Sequence, residues 1–352
     1  MLEILCTFAA AKVFEHPMPQ KQLTTHDQNN TKTTITMKHL FFLSLATIAI
    51  LFAGCKENNP AEPESANTTT TNTTTTPPPV VTLIPGELAG QFSVSATQKV
   101  RFSKGNLQYN AAQNIWRFAE HQYDTIGAAN KNISSSYNGY IDLFGWATSG
   151  YNNKNPWIIS ATDSDYGDGQ NGIPDTEYDW GVHNAISNGG NEAGKWRTLT
   201  KAEWEYLFHG RANAQKLFAL GSVNGINGTI LLPDGWILPE GVTFNPSTSN
   251  GLTWDRSVYK NSASDANNYA DNTYTLAKWA KMEANGAVFL PAAGYRCGTS
   301  LTNNVSDVGI KGNYWAIYMA GMHASSVHFR AKLLYPHYFD LRRNGFSVRL
   351  VR

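Results

Sequence analysis

One acidic loop carries oxygen ligands at a spacing that could surround a metal ion. Asp163, Asp165 and Asp168 alternate with small polar residues and glycines in segment 163–171. Carboxylates at such intervals suit Ca²⁺, which is bound by oxygen ligands. The spacing departs from an EF-hand loop, because Gly167 stands at the fifth position and no glutamate closes the twelfth. The loop is predicted to be either a calcium site or a solvated polar turn, and no other cofactor is indicated.

The histidines, and the cysteine of the aromatic-rich region, show no pairing typical of zinc or redox chemistry. No two of the nine histidines stand in an HxxxH or HExxH arrangement. Cys297 is the only cysteine in the aromatic-rich region that follows residue 86, so no disulfide can form within that region. A buried, unreactive thiol is predicted for Cys297, with a reactive thiol as the alternative.

Cys55 ends a pattern typical of secretion. Lys38 precedes an apolar run, residues 40–53, and Gly54 follows it. A basic start, a short apolar run and small residues before a break are the parts of a secretory signal. The run is shorter than the roughly 20 residues that a membrane-spanning helix needs. Segment 37–54 is therefore predicted to be a signal peptide, with an uncleaved helix as the alternative.

The end of this segment also points to an anchor. Phe52-Ala53-Gly54-Cys55 resembles a bacterial lipobox, a motif in which the cysteine is acylated and becomes the mature N-terminus. Acyl chains contribute about 0.8 kcal/mol per buried methylene, so several chains on one cysteine anchor a protein stably. The resemblance implies that the lipid on Cys55 holds the protein in the outer membrane, exposed at the cell surface.

Composition divides the rest of the chain into three parts. Residues 1–36 lack the pattern of a signal and are predicted to be a disordered, mis-called extension before a start at Met37. Residues 55–86 are rich in Thr and Pro and are predicted to form a solvated tether. Residues 87–352 hold all ten Trp and all sixteen Tyr and are predicted to form one domain. A formal net charge of +1 provides no electrostatic footprint for nucleic acid.

Hydrophobic periodicity predicts two helices in this domain. In the first, residues 199–210, Thr200 and Glu203 are spaced for a capping box, with Leu199 and Trp204 in staple positions. Gly210 is expected to end it in the left-handed conformation. The second helix is predicted over residues 273–284, ended by Asn285-Gly286, with these residues at helical spacing: Leu276, Trp279, Ala280 and Glu283.

Short strands surround the helices. Asn130 to Asn191 shows no sustained period and is expected to form ordered loops pinned by its tryptophans. Helices within a frame of short antiparallel strands define an α+β domain. The segments with strand-like patterns are Phe92–Val94, Val100–Phe102, Leu107–Tyr109, Ile230–Pro233, Val288–Pro291, Tyr314–Met319, Ser325–Phe329 and Phe346–Leu350.

Segment 315–340 is the best candidate for a binding surface. It mixes aromatic residues with His and Arg between short apolar positions, and such side chains give large contact areas at modest entropic cost. Four of its residues are expected in the core: Trp315, Ile317, Val327 and Phe329. Seven are predicted to be surface residues that bind a ligand: Tyr318, His323, His328, Arg330, Tyr335, His337 and Tyr338.

Several motifs resemble a known group of domains. WRTLTKAEWEY (196–206) and NGFSVRLVR (344–352) resemble segments of formylglycine-generating, or sulfatase-modifying, enzymes. Gly294-Tyr295-Arg296, Gly312-Asn313-Tyr314-Trp315 and the same ending are closer to the Fibrobacter succinogenes major paralogous domain, which recurs in surface lipoproteins. Both groups have a C-type-lectin-like fold, in which N- and C-terminal strands pair beneath a long loop region. That fold is therefore implied for residues 88–352.

The resemblance implies no particular activity. Formylglycine generation uses a close pair of cysteines in the C-terminal part, and this part of the sequence has only Cys297. The calcium-dependent sugar-binding motifs EPN, QPD and WND are not found either. We therefore expect a non-enzymatic domain that binds an extracellular protein or glycan. The alternatives are an oxidase of the formylglycine-generating type, or a structural adhesin or filament subunit.

Overall fold

Short strands and short helices joined by long connections make up the described part of the chain. The computed structural model describes residues 82–167, 176–247, 267–298 and 304–352, and all of them belong to one compact unit. The segments 1–36, 37–54 and most of 55–86, with Cys55, lie outside these residues. The α+β class predicted from the sequence is confirmed. Within these ranges no helix has the length and hydrophobicity needed to cross a bilayer.

The strands and helices have the following bounds. The strands are β1 Phe92–Ser93, β2 Lys99–Val100, β3 Leu107–Asn110, β4 Ile115–Phe118, β5 Tyr140–Ile141, β6 Arg197–Thr198, β7 Phe218–Val223, β8 Ile226–Leu231, β9 Thr273–Tyr274, β10 Val288–Pro291, β11 Tyr295–Arg296, β12 Val305–Ser306, β13 Lys311–Ala320, β14 His323–Arg330, β15 Leu333–Leu341 and β16 Leu350–Val351. The α-helices are α1 Trp180–His183, α2 Lys201–Glu205 and α3 Leu276–Ala284, and the π-turn Tyr206–Gly210 extends α2. Single 3₁₀ turns are Gly127–Asn132, Tyr151–Asn153, Asp163–Asp165, Ala214–Lys216 and Tyr269–Asp271.

The strands form several small sheets. The largest has the order β10-β8-β7-β9, and two others have the orders β13-β14-β15 and β4-β3-β5. The pairs β1-β2, β11-β12 and β16-β6 complete the set within the described ranges. All the pairs are antiparallel except β7 with β9. The sheet β13-β14-β15 matters most here, because it contains the segment predicted to bind a ligand.

The two ends of the domain are held together by backbone hydrogen bonds. Phe102 and Val351 form an antiparallel bridge. Arg101 N–H donates to the Arg352 carbonyl at 2.9 Å, and Arg352 N–H donates back at 3.0 Å. Farther along, Leu107 N–H donates to the Val348 carbonyl at 2.9 Å. The first strands of the domain therefore align with its last residues, as the pairing of terminal strands requires.

The start of the first helix matches the sequence prediction, but its end does not. Thr200 Oγ1 accepts from Glu203 N–H at 3.2 Å, and Glu203 accepts from Thr200 N–H at 2.8 Å, so the capping box is present. Gly210 lacks the left-handed conformation predicted for it. The helix widens into the π-turn, and a Cβ on Gly210 would approach Cδ2 of Tyr206 to 2.3 Å. Gly210 is therefore required by the close approach of this ring.

The second helix begins later than predicted. It starts after Thr275, whose hydroxyl accepts from Lys278 N–H, because the preceding residues form β9. Trp279 and Met282 are its buried residues, while Leu276 is 46 % exposed. The helix therefore packs on its neighbours along the Trp279–Met282 side. The stop at Asn285-Gly286 is confirmed, with Gly286 at φ +89°.

Two long strands of the structure were not predicted from the sequence. The long strands β7 and β15 were not predicted, because neither shows a clean apolar–polar alternation. The loops between Asn130 and Asn191 are ordered where they are described, and Trp146 and Trp180 are completely buried in them. The four predicted core residues Trp315, Ile317, Val327 and Phe329 are at most 3 % exposed.

Cys297 requires a correction. The residue is buried, as predicted, but it takes part in a disulfide bond rather than remaining a thiol. No second cysteine falls within the described residues.

Candidate functional site

A β-bulge decides which side chains of the predicted binding segment share a face. His328 pairs with Tyr335, and Ser326 pairs with Tyr338, so β15 has one residue more than β14 between these pairs. Side chains three residues apart on a regular strand point to opposite faces. The extra residue brings Tyr335 and Tyr338 to the same face.

Three rings meet on this face, which we call the tyrosine face: His328, Tyr335 and Tyr338. The His328 ring centroid lies 5.9 Å from that of Tyr335 and 5.3 Å from that of Tyr338. The two tyrosine rings lie 5.6 Å apart. All three residues are half-buried, so the cluster lies at the margin of the core. Such a cluster offers apolar area together with polar edges.

His328 is held in one tautomer. Its Nδ1 lies 2.7 Å from Oδ1 of Asn313 on the neighbouring strand. Burial, with Lys311 and Arg330 nearby, lowers the pKa of His328 to about 3, so the imidazole is neutral at physiological pH. The neutral ring donates from Nδ1 to Asn313, which makes Nε2 an acceptor.

The two phenols of the tyrosine face stay protonated. Burial raises the pKa of Tyr335. Burial also raises the pKa of Tyr338, and the neighbouring Asp340 and Tyr335 add to this effect. Both hydroxyl groups can therefore donate hydrogen bonds at neutral pH. The tyrosine face combines two hydroxyl donors with one imidazole acceptor.

The opposite side of the sheet carries two further predicted residues, Tyr318 and His337, which pack near α2 together with Phe339. We call it the helix face: Tyr318, His337 and Phe339. The rings of His337 and Phe339 lie 4.7 Å apart and edge to face, and those of Tyr318 and Phe339 lie 5.8 Å apart. Nδ1 of His337 lies 3.3 Å from Oε1 of Glu205 in α2. The seven predicted ligand-binding residues are therefore not one cluster.

His337 was predicted at the surface, and this prediction is wrong. Only 9 % of the residue is exposed, because α2 covers it. Burial lowers the pKa of His337, although the hydrogen bond to Glu205 acts in the other direction. Burial would raise the pKa of Glu205, but hydrogen bonds to His337 and Lys201 outweigh it and lower the pKa. This contact joins helix to sheet.

The remaining predicted residues lie toward the ends of the sheet. Tyr318 is 42 % exposed, and Lys201 Nζ lies 5.5 Å from its ring centroid. His323 is half-buried beside the β13–β14 turn, and burial lowers its pKa. Arg330 is exposed at the far end of β14, where it pairs with Lys311 and Leu333.

A buried carboxyl group borders the tyrosine face. Burial raises the pKa of Asp340 to about 6. Its Oδ1 accepts from Leu341 N–H at 2.9 Å and from Asn344 Nδ2 at 2.6 Å. Asn344 in turn accepts from Gly298 N–H at 3.4 Å. These hydrogen bonds fix the end of β15 against the loop that follows β11.

The acidic loop is engaged in protein contacts where it is described. Asp163 Oδ2 lies 2.5 Å from Nη1 of Arg343, and Asp165 accepts a hydrogen bond from Ser160. Asp168 lies outside the described residues. Across the described ranges, no cluster of three or more His, Cys, Asp or Glu side chains is arranged to hold a metal ion. The calcium site stays a prediction.

Three neighbours of these residues were missed by the sequence analysis. Asn313 fixes the His328 tautomer, Glu205 pairs with His337, and Phe339 joins two rings of the helix face. Asn313 and Glu205 belonged to the quoted motifs, but no periodicity links them to β14 or β15. Cross-strand register and helix packing create these contacts.

Comparison with known proteins adds no relative. No protein-family model, no curated protein and no solved structure matches this chain. The resemblance to formylglycine-generating enzymes and to the Fibrobacter succinogenes major paralogous domain therefore stays a prediction from the quoted motifs.

Proposed function

We propose that this protein is a surface lipoprotein whose domain recognises an extracellular protein or glycan. The secretory signal at 37–54 and the lipobox-like ending at Cys55 support export and anchoring in the outer membrane. The Thr- and Pro-rich segment 55–86 is the tether that holds the domain clear of the membrane.

The proposal includes a C-type-lectin-like fold for residues 87–352. Three features support it: the paired terminal segments at Phe102 and Val351, the helices α2 and α3, and the long ordered loops between residues 130 and 191. This fold carries many unrelated functions, so the proposed activity rests on the site rather than on the fold.

The tyrosine face is the observation that carries the proposed function. His328, Tyr335 and Tyr338 form a triangle of partly exposed rings with polar edges. Rigid aromatic side chains of this kind supply binding energy at a low entropic cost, and their hydroxyl groups add directional hydrogen bonds. The exposed Arg330 extends the surface at one end with a positive charge.

Recognition fits these groups better than catalysis does. An efficient general acid or base has a pKa near the working pH. The pKa of His328 lies far below neutrality, and those of Tyr335 and Tyr338 are raised above the ordinary tyrosine value. The neighbouring Asp340 has a pKa of about 6, but its Oδ1 accepts two hydrogen bonds from the protein. We therefore propose a binding role without catalysis.

An array experiment tests this proposal. The full chain, purified in detergent and labelled, is applied to arrays of glycans and extracellular proteins with and without Ca²⁺. We expect a ligand whose signal is reduced in Tyr335→Ala and Tyr338→Ala but not in Tyr151→Ala, an exposed tyrosine on another loop. A ligand that binds all the variants equally would exclude the tyrosine face. Oxidation of a cysteine-containing peptide by the protein would contradict the non-enzymatic role.

A further inference from the structure

Arg296 is a completely buried arginine in β11. None of its surface is exposed. Arg296 N–H donates to the Gly345 carbonyl at 2.9 Å, and Gly345 N–H donates to the Arg296 carbonyl at 2.8 Å. These two hydrogen bonds fix the backbone, so the side chain is directed into the protein and cannot reach solvent by a small rotation.

The guanidinium group of Arg296 lacks hydrogen-bond partners among the described residues. This holds for Nε, Nη1 and Nη2 alike. Polar groups buried in native proteins are paired in the great majority of cases, and an unpaired one indicates an unobserved water or ion. An unpaired buried charge is much more costly than an unpaired neutral group.

Two other buried arginines of the same domain have partners for both of their Nη atoms. Arg349 donates to Asn106 Oδ1 at 3.3 Å and to Gln122 Oε1 at 2.6 Å. Arg211 donates to the carbonyl groups of Leu207, Leu217 and Leu232 and also pairs with Asp234. The protein therefore supplies partners to a buried guanidinium elsewhere but not at Arg296.

Within the described part of the chain, no carboxylate acts as a counter-ion to Arg296. Tyr166 is the ionisable side chain that acts on Arg296 electrostatically. Burial raises the pKa of Tyr166, so its hydroxyl is neutral at physiological pH. The Tyr166 hydroxyl is also hydrogen-bonded to the backbone of Ser160. It does not act as a counter-ion.

Gly345 lies directly against the side chain of Arg296. A Cβ on Gly345 would lie 2.9 Å from Nε of Arg296. Any larger residue at this position would therefore crowd the donor atoms.

We propose that Arg296 binds an enclosed inorganic anion of the size of chloride. The positive charge and the three unpaired nitrogens of Arg296 favour an anion over a neutral ligand. The complete burial of the side chain favours a monatomic ion over a larger group, because the site has no exposed surface at Arg296 through which a carboxylate ligand could extend. The anion would join β11 to the loop around Gly345.

Thermal unfolding tests the proposed anion. The full chain is melted in sodium chloride, in sodium bromide and in sodium gluconate at equal ionic strength, since gluconate is too large to be enclosed. A ligand that binds only the folded state raises the melting temperature, so we expect a rise of about 3–6 °C in either halide. Arg296→Met removes the charge and should abolish the difference between halide and gluconate.

Arg349→Met is the matched control, because it removes another fully buried guanidinium but should keep the halide effect. An equal response of the unmodified protein and Arg296→Met to halide would overturn the proposal. If Arg296→Met does not fold, bromide-soaked crystals of the unmodified protein decide the question. An anomalous peak within hydrogen-bond distance of the guanidinium is expected, and its absence there would overturn the proposal.

Discussion

Nδ1 of His328 lies 2.7 Å from Oδ1 of Asn313. This contact joins β14, the central strand of the sheet β13-β14-β15, to β13 through a neutral imidazole. The same ring forms one corner of the tyrosine face. His328 therefore helps to form the tyrosine face and also links the stability of the domain to pH.

The first prediction concerns this link. The folded-state pKa of His328 is about 3, against about 6.5 for an unperturbed histidine. Because the unfolded chain takes up the proton first, the stability contributed by His328 is complete above about pH 6.5 and is lost as the pH falls. His328→Gln should reduce the loss of unfolding free energy between about pH 6.5 and about pH 4.5 by ~1–2 kcal/mol. Denaturant titrations at several pH values measure the unfolding free energy of both proteins.

Buried carboxyl groups act in the opposite direction and make the comparison between variants necessary. Burial raises the pKa of Asp142, Asp179 and Asp340 to about 6, so these groups favour the folded state as the pH falls through this range. Their effect is common to the unmodified protein and His328→Gln and cancels in the difference. His121→Gln, at an exposed histidine, controls for the loss of one imidazole. Identical pH profiles for His328→Gln and the unmodified protein would contradict the prediction.

The second prediction separates the two faces of the sheet. Once the arrays identify a ligand, Tyr335→Ala and Tyr338→Ala should each weaken its binding about 10-fold or more, as loss of a central aromatic contact does. Tyr318→Ala changes the helix face and should have a much smaller effect. Titration calorimetry provides the affinities. A larger loss of affinity in Tyr318→Ala than in the other two variants would place the binding site on the helix face and contradict the prediction.

The third prediction concerns the capping box. Thr200→Ala removes the hydroxyl that accepts from Glu203 N–H and should lower the unfolding free energy by about 1 kcal/mol. Thr97→Ala, in an exposed turn, is the matched control and should change it by less than about 0.5 kcal/mol. Chemical denaturation compares the two variants. Equal effects would show that the cap is not important for stability.

The fourth prediction tests why Gly210 is a glycine. Alanine normally favours a helix over glycine by about 1 kcal/mol. Here the added Cβ would collide with the Tyr206 ring, so Gly210→Ala should destabilise the protein by ~1–3 kcal/mol. The double variant Gly210→Ala, Tyr206→Ala should lose less stability than the two single changes together. A stabilised Gly210→Ala protein would refute the steric explanation.

The fifth prediction addresses the anchor. Cells that express the chain are grown with a radioactive fatty acid, and the protein is isolated from membrane and soluble fractions. We expect label on the unmodified protein in the outer membrane and none on Cys55→Ser. Cys297→Ser is the matched control and should keep the label, while an unlabelled native chain would contradict lipidation.

Local patterns predicted the short-range features correctly. The spacing of Thr200 and Glu203 predicted a capping box, and Asn285-Gly286 predicted a helix end. These features depend on contacts within a few residues, which a sequence displays directly. The surface position of His337 was predicted wrongly, because it depends on which element packs against that side chain.

The sequence by itself determined the α+β class, the capping box of the first helix, the end of the second helix and the core positions of the last strands, since propensity and periodicity act locally. It also identified His328, Tyr335 and Tyr338 as candidates, but it did not predict that their side chains share one face. The tertiary structure places them on one face, because a single extra residue in β15 reverses the direction of every later side chain. The unpaired guanidinium of Arg296 likewise became visible only in the folded chain, because pairing across space leaves no mark in the order of residues.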